Sequence, residues 1–190
     1  MPMQIFDYVM LLVSVVLSLG LARLLETHAR LVKRGTAVKW SAVYVAWLLI
    51  LAAMHVDLWA TLWAVHTQTA WPWTMVLGFF FQAIALFYGA VMITPDDDGS
   101  PVDLWQFHLG NRRRYIPTMA VYTVLGSLLT LGFVPMAQFL SAVYTVSLPY
   151  VAGCLLAMAS SARWVQRSVA IGMIVLMAWY FAIYLPGFSG

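Results

Sequence analysis

Charge is what this sequence has least of. Charged residues make up 9% of its 190 positions, against about a quarter in ordinary soluble domains. A water-soluble fold is therefore excluded, and lipid must be the solvent for most of the chain. Cysteine is nearly absent as well. The single Cys154 lies in an apolar run, so there is neither an intramolecular disulfide nor a cysteine metal cluster. No lysine falls inside a long apolar run, which excludes a Schiff base of the retinal kind within a span. HExxH, GxSxG, P-loop and CxxC patterns are missing, so no enzyme chemistry, metal or cofactor is expected. No polar segment exceeds roughly 20 residues, too short for a separate soluble domain.

What is present is a regular alternation. Six apolar runs are predicted as helices of membrane-crossing length, at about 5–25, 41–65, 73–94, 115–134, 137–159 and 169–185. All ten Lys and Arg residues lie at the end of the odd-numbered runs or in the segments after them. Arg23, Arg30, Lys33, Arg34 and Lys39 go with the first, Arg112, Arg113 and Arg114 with the third, and Arg163 and Arg167 with the fifth. This is the positive-inside pattern. It predicts an all-α polytopic membrane protein, a single transmembrane domain with short loops, and both termini outside the cytoplasm. The first run has no basic segment before it and no small-residue cleavage site after it, so it is expected to be a retained span. The basic residues sit at membrane edges, which points to anionic lipid rather than nucleic acid as their partner.

The largest loop reads PDDDGSPVDLWQFHLGNRRRYIP. Its three aspartates, Asp96, Asp97 and Asp98, lack the spacing of a calcium loop and are expected to form a solvated turn. The stretch from Pro101 to Arg113 reads as a short interfacial helix with Leu104, Trp105, Phe107 and Leu109 toward lipid. Trp105, Arg112, Arg113 and Arg114 are the candidate surface for a soluble or membrane partner, or for lipid head groups.

Ionisable groups within a span are costly and carry a functional hypothesis by default. The second run holds His55 and Asp57. Two residues apart on a helix is about 200°, so they face opposite sides. The Asp57 side is small, with Ala53, Ala60, Thr61 and Ala64, and the His55 side is bulky. Counting from the outer helix ends puts Asp57 at ~13 Å depth, level with Gln82, and Tyr144 and Tyr180 at ~9–11 Å. A site built from Asp57, Gln82, His55, Tyr144 and Tyr180 is thus predicted for an ion, a proton or a small solute, in a protein that forms homo-oligomers. The alternative for Asp57 is structural, a protonated carboxyl holding helices together through Gln or Tyr. His28 and His108 fall at the cytoplasmic interface, where they are in principle able to meet. Pro149 is predicted to free the Thr145 carbonyl, with Thr145 and Ser147 near enough to help satisfy the opened turn.

Three segments carry a resemblance. They are IFDYVMLLVSVVLSLGLARLLETHARLVKRG, WSAVYVAWLLILAAMHVDLWATLW and DLWQFHLGNRRRYIP. Together they resemble a family of small bacterial six-span integral membrane proteins, most without an assigned activity. The resemblance implies a bacterial inner-membrane location and brings no functional residue with it.

Overall fold

The basic residues that set the charge pattern also mark helix ends. In the computed structural model, which describes residues 5–68, 70–96, 99–131 and 134–184, the first helix α1 runs Ile5–Lys33. It continues past the predicted Leu25 because Arg23, Glu26 and Arg30 suit an exposed helical turn, with Arg23 and Arg30 each within 4 Å of Glu26. Gly35, at φ +55°, then supplies the left-handed position that ends it. Helix α2 is Ala42–Ala64, opened by the Ser41 side chain, and α3 is Trp73–Met92. Helix α4 is Leu104–Thr130, opened by Asp103, whose carboxylate accepts from the backbone N–H groups of Trp105 and Gln106.

After Pro135 the chain forms α5, Met136–Ala142, a π-helical turn, Val143–Ser147, and α6, Leu148–Ala159. These three pieces make one continuous apolar rod. The π turn precedes Pro149, and the N–H of Leu148 reaches back to the Val143 carbonyl. The ladder thus widens where proline breaks it. The Thr145 hydroxyl does not help there as expected. It donates to Ser141, and the Ser147 hydroxyl is taken by Ser127 on α4. Helix α7 spans Arg163–Tyr184. The fold is all-α, and among the described residues five helical stretches are long and apolar enough to cross a membrane. Helix α4 is the exception, because Arg112–Arg114 lie within it.

The predicted interfacial helix is absent. Residues 104–114 are the first half of α4 itself, running on through Pro117, and Leu104, Trp105 and Phe107 pack against the core. Leu104 and His108 are fully buried, and Phe107 packs edge-on against Tyr44. The reason lies just upstream, where Val38–Lys39 (β1) and Val102–Asp103 (β2) pair in parallel. Lys39 Nζ sits 2.8 Å from the Asp103 carboxylate. That pairing pins the start of α4 to the bundle rather than to a lipid surface.

The bundle's two ends differ. At the basic end the helices are tied by polar contacts. The Thr27 and Thr94 hydroxyls lie 3.2 Å apart, and the Tyr44 hydroxyl donates to the Ile93 carbonyl. At the opposite end, which carries no Lys or Arg, Phe6 of α1 packs near Trp63 and Trp71.

Candidate functional site

The small-residue side of α2 opens a space that its neighbours do not fill. Ala60, Thr61 and Ala64 are too short to reach α5 and α6, and a cavity of about 370 Å³ remains between α2, α3, α4, the α5–α6 rod and α7. It lies in the half of the bundle away from the basic residues, from Met54 and Tyr150 at its floor to Val65 and Val134 near the helix ends. Its walls are largely apolar.

The polar groups converge on Asp57, which is 9% exposed. The Tyr122 hydroxyl donates to Asp57 Oδ2 at 2.6 Å, and the Tyr180 hydroxyl also hydrogen-bonds the carboxyl. Gln82 lines the same cavity, buried on α3. Its Nε2 donates to the Tyr122 carbonyl at 3.2 Å, while its Oε1 is buried without a hydrogen-bond partner. Gly126 makes room for this amide, since a Cβ there would stand 2.8 Å from Gln82 Nε2. On the opposite wall the Ser127 hydroxyl contacts Ser147 at 2.8 Å, and the Tyr150 hydroxyl points at Met54 Sδ at 3.2 Å.

The predicted site residues fare differently. Asp57, Gln82 and Tyr180 line one cavity, with Tyr122 as the link between the first two. Tyr144 does not join them. It is 66% exposed on the outer side of the π turn, whereas Val143, Val146 and Ser147 face inward. Counting residues from a helix end fixes depth and leaves the direction around the axis open. His55 is also outside the cavity. It is buried against α1, where a Cβ on Gly20 would lie 2.4 Å from its Nε2. Its Nδ1 is 2.8 Å from the Leu51 carbonyl, as expected of a ring packed back along its own helix. Tyr122 and Tyr150 were not singled out in the sequence. Tyr122 was within reach, because it stands one turn before Gly126 and two before Thr130 on the same face of α4.

A second polar cluster closes the basic end. His108 Nε2 is 2.8 Å from Gln166 Oε1, and its Nδ1 is 2.6 Å from the Tyr115 hydroxyl. Gln166 Nε2 reaches the carbonyls of Ala157 at 2.7 Å and Ser160 at 2.5 Å. The amide nitrogen is thereby the donor, so Oε1 accepts and His108 carries its proton on Nε2. Nδ1 then accepts from Tyr115. Burial pushes the His108 pKa down, the Gln166 bond raises it, and nearby Arg112 lowers it again, with a net downward direction. This neutral, fully engaged imidazole does not meet His28, which packs on Trp40.

Among the candidate partner residues, Trp105 lies beneath the Arg163 guanidinium at 5.5 Å, and Arg112 donates to the Leu109 carbonyl. Arg113 Nε is 3.3 Å from the Met158 carbonyl, and Arg114 is exposed beside Asn111. Trp105 and Arg113 thus hold α4 to α7 and α6, whereas Arg112 and Arg114 bond within α4 itself. Of the three aspartates in the preceding turn, Asp97 and Asp98 lie outside the described residues. No grouping of three or more His, Cys, Asp or Glu side chains suited to a metal occurs among the described residues. Compared with protein-family models, with curated proteins and with solved structures, the chain matches none of them.

Proposed function

We propose that this is a six-span bacterial inner-membrane carrier, with both termini outside the cytoplasm, that takes up a small solute in the Asp57 cavity from the outer side. The observation that carries this reading is a cavity of about 370 Å³ at whose depth a buried carboxyl is held by two tyrosine hydroxyls. That volume falls in the range of small-molecule sites. A carboxyl kept only to bind helices together needs no such space beside it. The cavity also lies at the end without Lys or Arg, which the positive-inside pattern assigns to the outside.

A carrier suits the packing better than an open pore. Beneath the cavity floor, Trp47, Leu51, Tyr115 and Cys154 are fully buried and close the basic half. Passage therefore requires a change of shape, for which the π turn and Pro149 in the α5–α6 rod offer a bending point. The alternative, a non-transporting subunit that docks a partner through residues 103–115, draws less support, because Trp105 and Arg112 make their contacts within the protein.

Reconstituted vesicles test the reading. A panel of small amines, alcohols and monovalent cations is offered outside, and internal accumulation is followed. Wild-type protein should raise the flux of at least one member. Asp57→Asn should abolish that flux while leaving assembly and thermal stability intact. Flux that survives the substitution contradicts the proposal.

A further inference from the structure

The cavity's chemistry points to one kind of solute. We propose that its ligand is a small primary amine with an apolar body, whose ammonium head sits between Asp57 and Gln82. This rests on the cavity being the solute site, and names what that site takes.

Charge is the first argument. Among the described residues that line the cavity, Asp57 is the only ionisable side chain other than tyrosine, and no Lys, Arg or His joins it. An anionic head would meet a carboxyl and no counter-charge, at a depth where an unpaired charge is costly. A cationic head meets its counter-ion.

Hydrogen-bond inventory is the second, independent argument. Gln82 is 3% exposed, and its Oε1 is buried with no partner. A buried carbonyl left without a donor costs about 1–3 kcal/mol unless something supplies one. The amide is not free to turn and cure this itself. Its nitrogen is committed to the Tyr122 carbonyl, and the same Tyr122 donates its hydroxyl to Asp57. Oε1 itself has almost no accessible surface, so a ligand reaches it only when the Gln82 side chain shifts toward the cavity it lines, and a ligand that then meets both Oε1 and the Asp57 carboxyl must donate to both. An ammonium has three donors and no acceptor. A hydroxyl has one donor and satisfies one acceptor only.

The walls supply the third argument. Tyr122, Tyr150 and Phe79 are among the lining residues, and aromatic faces favour a cation. Away from the carboxyl, Leu129, Val146, Leu176 and Met177 line the cavity beside the hydroxyls of Thr61, Thr123, Ser127, Thr130 and Ser147, of which Thr123, Ser127 and Thr130 already donate to backbone carbonyls of their own helix, so the apolar side chains are left to receive an apolar body.

The test uses purified protein in micelles and three probes of one shape: phenylethylamine, phenylethanol and phenylacetate. Equilibrium binding should rank the amine at least about tenfold tighter than the alcohol, a difference of about 1.4 kcal/mol, with phenylacetate unbound. Asp57→Asn should remove the amine's advantage and leave the alcohol's affinity nearly unchanged. Gln82→Leu, which keeps the carboxyl and serves if the Asp57 variant fails to assemble, should weaken the amine more than the alcohol. Equal affinities for amine and alcohol, insensitive to both substitutions, would overturn the ligand class while leaving a solute cavity in place. Failure of all three probes to bind the wild type would overturn the ligand class and remove the cavity's role as a solute site with it.

Discussion

Two buried polar clusters, one in each half of this bundle, are completed to different degrees. At the basic end, His108, Tyr115 and Gln166 are buried, and their hydrogen bonds close on one another and on the Ala157 and Ser160 carbonyls. At the other end, Asp57 and Gln82 are also buried, yet a cavity stands beside them and Gln82 Oε1 has no partner. In lipid, helices gain nothing from burying apolar surface against each other, so polar contacts and close packing hold them together. A polar cluster that is complete within the chain is explained by that need. One that is incomplete, next to open space, is explained by something that comes and goes. The contrast makes a simple demand: damage at the basic end should cost stability, and damage at the cavity should cost function.

The largest expected effect is at the closed cluster. Gln166→Leu strips the His108 Nε2–H and two backbone carbonyls of their partner at once, and should lower unfolding stability by roughly 2–4 kcal/mol, read from thermal melts in micelles. A loss below experimental error would mean the basic end is not held as described. Gly20→Ala comes next. The added methyl falls on His55, whose ring is fixed to Leu51, and overpacking of this kind costs about 1–3 kcal/mol. Melts of this variant measure whether α1 and α2 need that close approach.

pH gives a milder probe of the same end. His108 has its pKa lowered in the folded protein, so the unfolded chain binds the proton more readily. Its contribution is then complete above the unfolded value of about 6.5 and declines as pH falls below it. Melting temperature should drop on acidification from neutral pH, and His108→Gln should flatten that dependence. The Asp103 carboxylate, lowered chiefly by its bond to Lys39, adds a contribution that persists to lower pH and fades only as pH falls below about 4.

The smallest expected change in stability is the most informative. Gln82→Leu removes an amide that is only half satisfied, so the melt should stay within ~0.5 kcal/mol of wild type, while amine binding weakens. A strongly destabilised Gln82→Leu protein with intact binding would invert the contrast between the ends.

Much of this was legible in the sequence for a physical reason. Helices in lipid must satisfy their own backbones, so apolar run length reports helices directly. The two faces of α2 followed from geometry alone, and Asp57, Gln82 and Tyr180 do share a space. What failed was azimuth and tertiary pairing. Tyr144 stands near the expected depth but one residue off the inward stripe of Val143, Val146 and Tyr150. Residues 104–114 have the composition of a surface helix, and the contacts that draw them into the bundle, the β1–β2 pairing and the His108–Gln166 bond, are all distant in the chain. No local pattern announces a contact between Lys39 and Asp103, which are far apart in the chain. His108 likewise passed for an interface residue because its partner Gln166 lies on a distant helix.

Accessibility of the cavity is the most direct test of the account. In a Cys154→Ala background, Thr61→Cys places a thiol on the cavity wall and Ser161→Cys places one at the exposed basic end. A membrane-impermeant thiol reagent applied to intact cells should modify Thr61→Cys, more slowly when phenylethylamine is present, and should reach Ser161→Cys only after the membrane is opened. Labelling of Thr61→Cys only from the cytoplasmic side, or not at all from either side, would contradict an outward-facing solute cavity.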